Sequence, residues 1–303
     1  MKEKWISIVL CLLCALLLIG CGSGASPVPA PSAEPAPSAV PSAEPSAQPS
    51  AAPESALQGR LIDPLPSERT RSSMLAIGSA NLLDTYLSAE KYSGTELRYI
   101  STLTKNTRWH NIRQTIFHEG KLDVVSNRAD NNDELGGMYR FQYHLRRQWA
   151  WANGFSLEAG GGIGAELGFL YNTRNSNNPA QAYAALQLLP SAAASQSIRV
   201  FNWPVRLRYE ACVPLLGLAF SPNYGQSYYE LFSRGNYDHN IVPTSILSTP
   251  SLRHMLTADI PLSRKHSSAL RIGYLGDYQQ AELNNLKRHQ YAHMLIIGIT
   301  VTR

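Results

Sequence analysis

The sequence is poor in charge: Asp, Glu, Lys and Arg together make up 16% of its 303 residues. It therefore lacks the lysine- and glutamate-rich helical faces of many soluble enzymes. No stretch carries a 3.6-residue apolar stripe for more than two turns, which excludes an amphipathic helical bundle. The formal net charge is +5, but the arginines are scattered and form no basic run. Nucleic-acid binding is thereby excluded, because it needs a compact cationic stripe. Long apolar runs are also missing, apart from Trp5 to Gly20. That run is shorter than the roughly 20 residues a helix needs to cross a bilayer. The eight histidines show no metal-ligand spacing. His289 and His293 would share a strand face but sit about 13 Å apart at ~3.3 Å per residue, and His110 and His118 are isolated. No metal and no cofactor is expected. Gly160-Gly161-Gly162-Ile163-Gly164 lacks the Lys-Ser/Thr ending of a phosphate loop and reads as close strand packing.

Cysteine is scarce as well, with four in the chain. Cys11 and Cys14 lie in the apolar run, which follows Lys2 and Lys4 and has the form of a secretory leader. Cys21 closes the string Leu18-Ile19-Gly20-Cys21, which resembles the bacterial lipobox, so Cys21 is the expected lipidation site. The alternatives are ordinary signal-peptidase cleavage near Ala25, or an uncleaved anchor. After processing, Cys212 has no cysteine partner outside the anchor, so no intramolecular disulfide is expected. Residues 25–57 are almost all Ala, Pro, Ser and Glu and cannot bury a core. They read as an extended spacer. The expected organisation is a lipoprotein-type signal peptide at 1–20, a lipid-anchored disordered tether at 21–67 and a folded domain at 68–303.

What the folded part does have is alternation. In residues 155–171 one parity is Phe155, Leu157, Ala159, Gly161, Ile163, Ala165, Leu167, Phe169 and Tyr171. The other is small or acidic, with Glu158 and Glu166 among glycines. The same contrast recurs around Tyr139–Arg146, Val205–Cys212, Leu270–Leu275 and Tyr291–Val301. Such strands have two unlike faces. A soluble sandwich would bury the apolar face; a membrane barrel would turn it to lipid. Strand length, aromatics near apolar strand ends and a polar face rich in glycine and mixed charge favour the barrel. Breaks at Asn106–Arg108, Asn127–Asp133, Asn153-Gly154, Asn172–Pro179, Ser263–Ser268 and Asn284–Lys287 divide the region. The predicted fold class is all-β: a closed antiparallel transmembrane β-barrel of ten to twelve strands. Ten strands are clear, and short pieces near 70–80 and 215–221 would bring the number to twelve. Ala180–Leu189 has helical propensity but is read as a strand.

Several strings are similar to one family. They are Leu83-Asp84-Thr85-Tyr86-Leu87-Ser88, Tyr92-Ser93-Gly94, Tyr171-Asn172-Thr173-Arg174-Asn175 and Asn178-Pro179-Ala180. Longer and more specific are Phe220-Ser221-Pro222-Asn223-Tyr224-Gly225-Gln226-Ser227-Tyr228-Tyr229-Glu230 and Gly235-Asn236-Tyr237-Asp238-His239-Asn240. Over residues 68–303 the chain resembles the Bacteroidetes family known as domain of unknown function 3316. The resemblance implies an outer-membrane-type barrel and supplies no catalytic residues. The chain departs from many such barrels in ending Thr300-Val301-Thr302-Arg303, without a terminal aromatic for the barrel assembly machinery. The lipobox and tether are also unusual in a barrel.

The candidate ligand site is the segment from Cys212 to Asn240. There Asn223, Gln226, Tyr228, Tyr229, Glu230, Asp238, His239 and Asn240 combine polar groups with tyrosine, as sugar or lipid-headgroup recognition requires. The alternative is a structural loop bonded to the barrel wall. Ser227, His239 and Asn240 are the residue types of an outer-membrane phospholipase, but without its spacing. Arg140, Arg146, Glu158, Glu166, Arg206, Arg208, Glu210, Arg253, Asp259, Arg271 and Asp277 are expected to face the lumen. Isolated buried charge costs several kcal/mol, so a paired, plugging network is expected. The functional expectation is a structural or ligand-binding outer-membrane barrel, with membrane lipid and the assembly machinery as partners. A small-solute channel and a lipid-modifying hydrolase are the alternatives. The anchor is expected in the periplasmic leaflet.

Overall fold

The computed structural model describes residues 61–62, 69–109, 111–176, 178–200, 203–262 and 267–303. The leader, Cys21, the tether, His110 and most of the break at 263–268 lie outside the described residues. Among the described residues the chain forms thirteen strands and one short helix. The strands are β1 (Leu61–Ile62), β2 (Arg69–Asp84), β3 (Tyr92–Asn106), β4 (Ile112–Asn127), β5 (Asp133–Trp151), β6 (Phe155–Asn172) and β7 (Ala180–Val200). They continue with β8 (Trp203–Cys212), β9 (Leu216–Phe220), β10 (Ile241–Ser245), β11 (Ser251–Pro261), β12 (Ser268–Leu283) and β13 (Leu286–Thr302). Helix α1 is Tyr228–Phe232.

Ten strands close into an antiparallel ring in the order β2-β3-β4-β5-β6-β7-β8-β11-β12-β13 and back to β2. The final closure pairs Thr302 with Thr70 and runs to Arg288 with Asp84. The piece near 70–80 is a full ring strand of 16 residues, and that near 216–220 is β9, which continues the line of β8 beyond a break. The expected strand for Ala180–Leu189 is the first half of β7, the longest at 21 residues. Its Ala and Leu residues alternate between two environments, and that overrides helical propensity.

Proline explains the break. Ser191 pairs with Cys212 and Leu188 with Leu216, so Leu189 and Pro190 face the three residues 213–215. One residue more on one side is a β-bulge. Pro190 cannot donate a ladder bond, and here it only accepts, from the Val213 N–H at 3.2 Å. Prolines belong at such sites within a sheet.

Side chains follow the predicted parity. Leu167, Ile163 and Phe169 are outward and more than half exposed, while Glu158 on the other parity is buried. The outward face carries apolar residues round the ring, among them Leu75, Leu97, Leu122, Tyr139, Leu186, Leu207, Leu256, Ile272 and Leu295. The glycine run lies in β6. A Cβ at Gly162 would come within 2.1 Å of the Tyr143 carbonyl oxygen and 2.7 Å of the His144 ring. Those glycines therefore permit close strand approach, as the sequence indicates.

The two ends differ. At the end holding Arg69 and Thr302 the connections span 107–111, 152–154, 201–202 and 262–267. At the other they span 85–91, 128–132, 173–179, 221–240 and 284–285, so the longest connection lies opposite the termini.

Candidate functional site

Two parts of the molecule carry chemistry: the lumen and the loop 221–240. The lumen is crossed by ionic contacts. Glu119 on β4 accepts from Arg98 on β3 at 3.0 Å, Arg140 on β5 at 3.0 Å and Arg253 on β11 at 2.8 Å. Asp277 on β12 accepts from Arg98 at 2.6 Å and Arg140 at 3.1 Å. Arg140 also donates to Glu166 at 2.6 Å, and Arg98 pairs with Glu96. A second group joins Arg146, Arg208, Glu158 and Glu210, with Arg208 donating to Glu158 at 3.0 and 2.8 Å. Arg113 donates to Glu158 at 3.1 Å, and Arg271 clasps Asp259 at 2.6 and 2.7 Å.

The eleven expected lumenal charges all face inward; Arg206 is exposed and lines the cavity at the terminal end. Sequence reasoning missed Glu96, Arg98, Arg113, Glu119, Lys121 and Asp123, all buried on β3 and β4. It also missed an apolar cluster inside the lumen, built from Met74, Ile100, Phe117, Met255, Leu275, Met294 and Ile296 with two alanines. The Arg253 guanidinium lies 4.4 Å from the Phe117 ring centre, joining this cluster to the ionic network. At the terminal end a cavity of about 540 Å³ is lined by Ser and Thr hydroxyls and by Arg206, Arg208, Asp259 and Arg271.

The loop is organised around Gln226. Its side-chain oxygen accepts from the Asn223 N–H at 2.9 Å and from Asn240 Nδ2 at 2.7 Å. Its amide nitrogen donates to the Asn236 carbonyl at 2.9 Å, and Asn223 Nδ2 donates to the Asp238 carbonyl at 2.9 Å. Asn240 Oδ1 is buried without a hydrogen-bond partner. Helix α1 starts with a capping box: Ser227 Oγ accepts from the Glu230 N–H, and the Glu230 carboxylate accepts from the Ser227 N–H at 2.8 Å. That bond holds the Glu230 carboxyl below its ordinary range.

Tyrosines tie the loop to the barrel. Tyr228 Oη donates to Gln181 Oε1 at 2.9 Å and accepts from the Ala182 N–H at 2.6 Å. Burial pushes the Tyr228 phenol up to about 12. Tyr86 in 85–91 donates to the Gln226 carbonyl at 3.0 Å and meets Tyr228 edge-on at 5.7 Å. Asn284 Nδ2 donates to the carbonyls of Ser221 and His239, both at 3.0 Å.

The structure thus brings Asn223, Gln226 and Asn240 together, and turns Tyr228 and Glu230 to supporting bonds. It does not bring the side chains of Tyr229, Asp238 or His239 into that group. Asp238 and His239 form an exposed pair at 2.6 Å, and no bond joins His239 to Ser227 among the described residues. The exposed aromatics form a patch that the eight residues only partly anticipate. Tyr229 and Phe232 are each 64% exposed and Tyr237 is 59% exposed, with Phe232 and Tyr237 edge to face at 6.5 Å. The dense aromatics between Phe220 and Tyr237 are the sequence signal for it.

The family described as "Protein of unknown function (DUF3316)" matches residues 63–302. No curated protein matches the sequence significantly. Among solved structures, the outer membrane protease OmpT from Escherichia coli has 6% identity and a TM-score of 0.45, covering 78% of this chain and 97% of that one. The transport unit of the autotransporter AIDA-I from Escherichia coli has 9% identity and a TM-score of 0.47, covering 78% and 89%. The translocator domain of the autotransporter NalP from Neisseria meningitidis has 9% identity and a TM-score of 0.36, covering 82% and 91%.

Proposed function

The chain belongs to the DUF3316 family, and on that premise we propose that it is an outer-membrane β-barrel with a closed lumen, presenting the loop 221–240 as a recognition surface. The observation that carries the closed lumen is the set of side-chain bonds between opposite walls. Arg140 and Asp277 stand on β5 and β12, five steps apart in the ring of ten, and bond at 3.1 Å. Glu119 and Arg253 stand on β4 and β11, again five steps apart, and bond at 2.8 Å. Asp84 on β2 and Tyr183 on β7 make a third such link. A solute moving along the axis meets all three.

The apolar outward face supports membrane insertion, since water would penalise so many exposed large side chains on one continuous surface. Short connections on the terminal side and longer ones opposite follow the usual bacterial arrangement, which puts the loop 221–240 outside the cell. Its rigid hydrogen-bonded frame and exposed aromatics suit a ligand with both flat apolar and polar surface, such as a sugar or a lipid head. Acylation of Cys21 would add an anchor in the periplasmic leaflet.

Fractionation tests the location: recovery with the outer membrane, and extraction by detergent only, is expected. A monodisperse protein in detergent-free buffer removes the membrane reading. Swelling of proteoliposomes in small sugars tests closure: swelling no faster than protein-free vesicles is expected, and fast swelling favours the small-solute channel.

A further inference from the structure

The cavity of about 540 Å³ at the terminal end has walls of two kinds. Among the described residues lining it, the arginines Arg113, Arg206, Arg208 and Arg271 face the carboxylates Glu210 and Asp259. Arg146 and Glu158, deeper in the lumen and bonded to this set, add one charge of each sign. Five arginines thus stand against three carboxylates. The two carboxylates of the lining are engaged. Arg271 clasps both oxygens of Asp259 at 2.6 and 2.7 Å, and Arg146 clasps those of Glu210 at 3.1 and 3.0 Å. Arg206 and Arg271 flank Asp259 in register, on the neighbouring strands β8 and β12. An anion entering here meets a positive field enclosed by low-dielectric walls. Guanidinium forks suit phosphate and carboxylate alike.

The facing wall carries hydroxyls. β3 stands five steps from β8 in the ring. Thr302, Thr70, Thr104 and Thr115 lie in register across β13, β2, β3 and β4, and all four line the cavity. They bond in pairs, Thr70 with Thr302 at 3.4 Å and Thr104 with Thr115 at 3.1 Å. Each pair uses one O–H and keeps the other to donate. Trp151 and Phe155, with ring centres 5.3 Å apart, add a flat apolar edge.

We infer that this cavity binds an anionic monosaccharide, its phosphate or carboxylate held by Arg206 and Arg271 and its hydroxyls turned to the threonine row. The volume falls in the usual range of roughly 300–1,000 Å³ for small-molecule sites. The site is separate from the loop 221–240, which lies at the opposite end of the barrel. It stands whether or not the barrel lies in a membrane.

Isothermal titration calorimetry of the full-length chain in detergent tests it, with glucose 6-phosphate, glucuronate and glucose as probes. Heat-modifiable gel migration confirms that each variant is folded. At least one of the two anionic sugars is expected to bind with a Kd below about 1 mM, and at least about tenfold more tightly than glucose. The tighter of the two shows whether phosphate or carboxylate is preferred. Arg206→Gln should weaken that binding at least about tenfold, as loss of a bond to a charged group does. Thr104→Val should weaken it at least about threefold, the cost of one neutral hydrogen bond. Arg128→Gln, exposed in the connection 128–132 at the other end, should leave it unchanged. No binding of either anionic sugar up to about 10 mM, or glucose binding equally well, overturns the inference. So does unchanged affinity in Arg206→Gln or in Thr104→Val, which places the ligand elsewhere. An equal loss in Arg128→Gln overturns it too, because the attraction is then to the overall charge of the chain.

Discussion

Arg253 and Glu119 project from opposite walls of the barrel, on β11 and β4, and their side chains meet at 2.8 Å. Neither is reachable from bulk water, with side chains 7% and 1% exposed. A buried pair of this kind is weak evidence of stability, because desolvation offsets much of the attraction. Its consequence is geometric: the interior at that level is occupied by protein.

Removing one partner strands the others. Glu119→Ala leaves Arg98, Arg140 and Arg253 each without one acceptor. We expect destabilisation of about 3–5 kcal/mol, the usual cost of breaking a buried pair. Urea unfolding of the refolded barrel, followed by tryptophan fluorescence, measures it. A loss below about 1 kcal/mol would mean that water reaches these guanidiniums.

Gly162→Ala puts a methyl against the Tyr143 carbonyl and the His144 ring. The backbone cannot yield as a flexible side chain does, so a cost of about 1–3 kcal/mol is expected. The same unfolding assay reads it. Gly120→Ala is the control, because a Cβ there meets nothing within 4 Å.

Tyr228→Phe deletes two bonds to β7 while keeping the ring. Each bond is worth about 1 kcal/mol net. The expected result is faster tryptic cleavage at the exposed Arg234, with the barrel's unfolding midpoint unchanged. Equal change in both would show that the loop and barrel unfold as one unit.

Acylation is a separate matter. Palmitate labelling of the chain in a bacterial host is expected, and its loss in Cys21→Ser. Labelling that persists in Cys21→Ser would move the modification elsewhere.

The alternation of β5 and β6 was readable because their two faces meet such different surroundings. Tyr139 and Leu167 point outward, while Arg140 and Glu166 point into the lumen. On β3 and β4 the signal fails, since the outward set includes Ser93, Thr95, Gln114 and His118. Polar residues on both faces hide Arg98 and Glu119, the centre of the network. On β13 the failure is opposite: Met294 and Ile296 line the lumen beside outward Leu295 and Ile297, so both faces are apolar. The loop's residues were recognisable as a group, but their division into a Gln226-centred frame and an exposed aromatic patch depends on backbone geometry that spacing does not encode.

Single-channel recording in a planar bilayer tests the closed barrel most directly. The refolded protein should insert without steady conductance steps at moderate voltage, because the bonds from β4 to β11 and from β5 to β12 obstruct the axis. Reproducible, long-lived steps from the unaltered chain would contradict it.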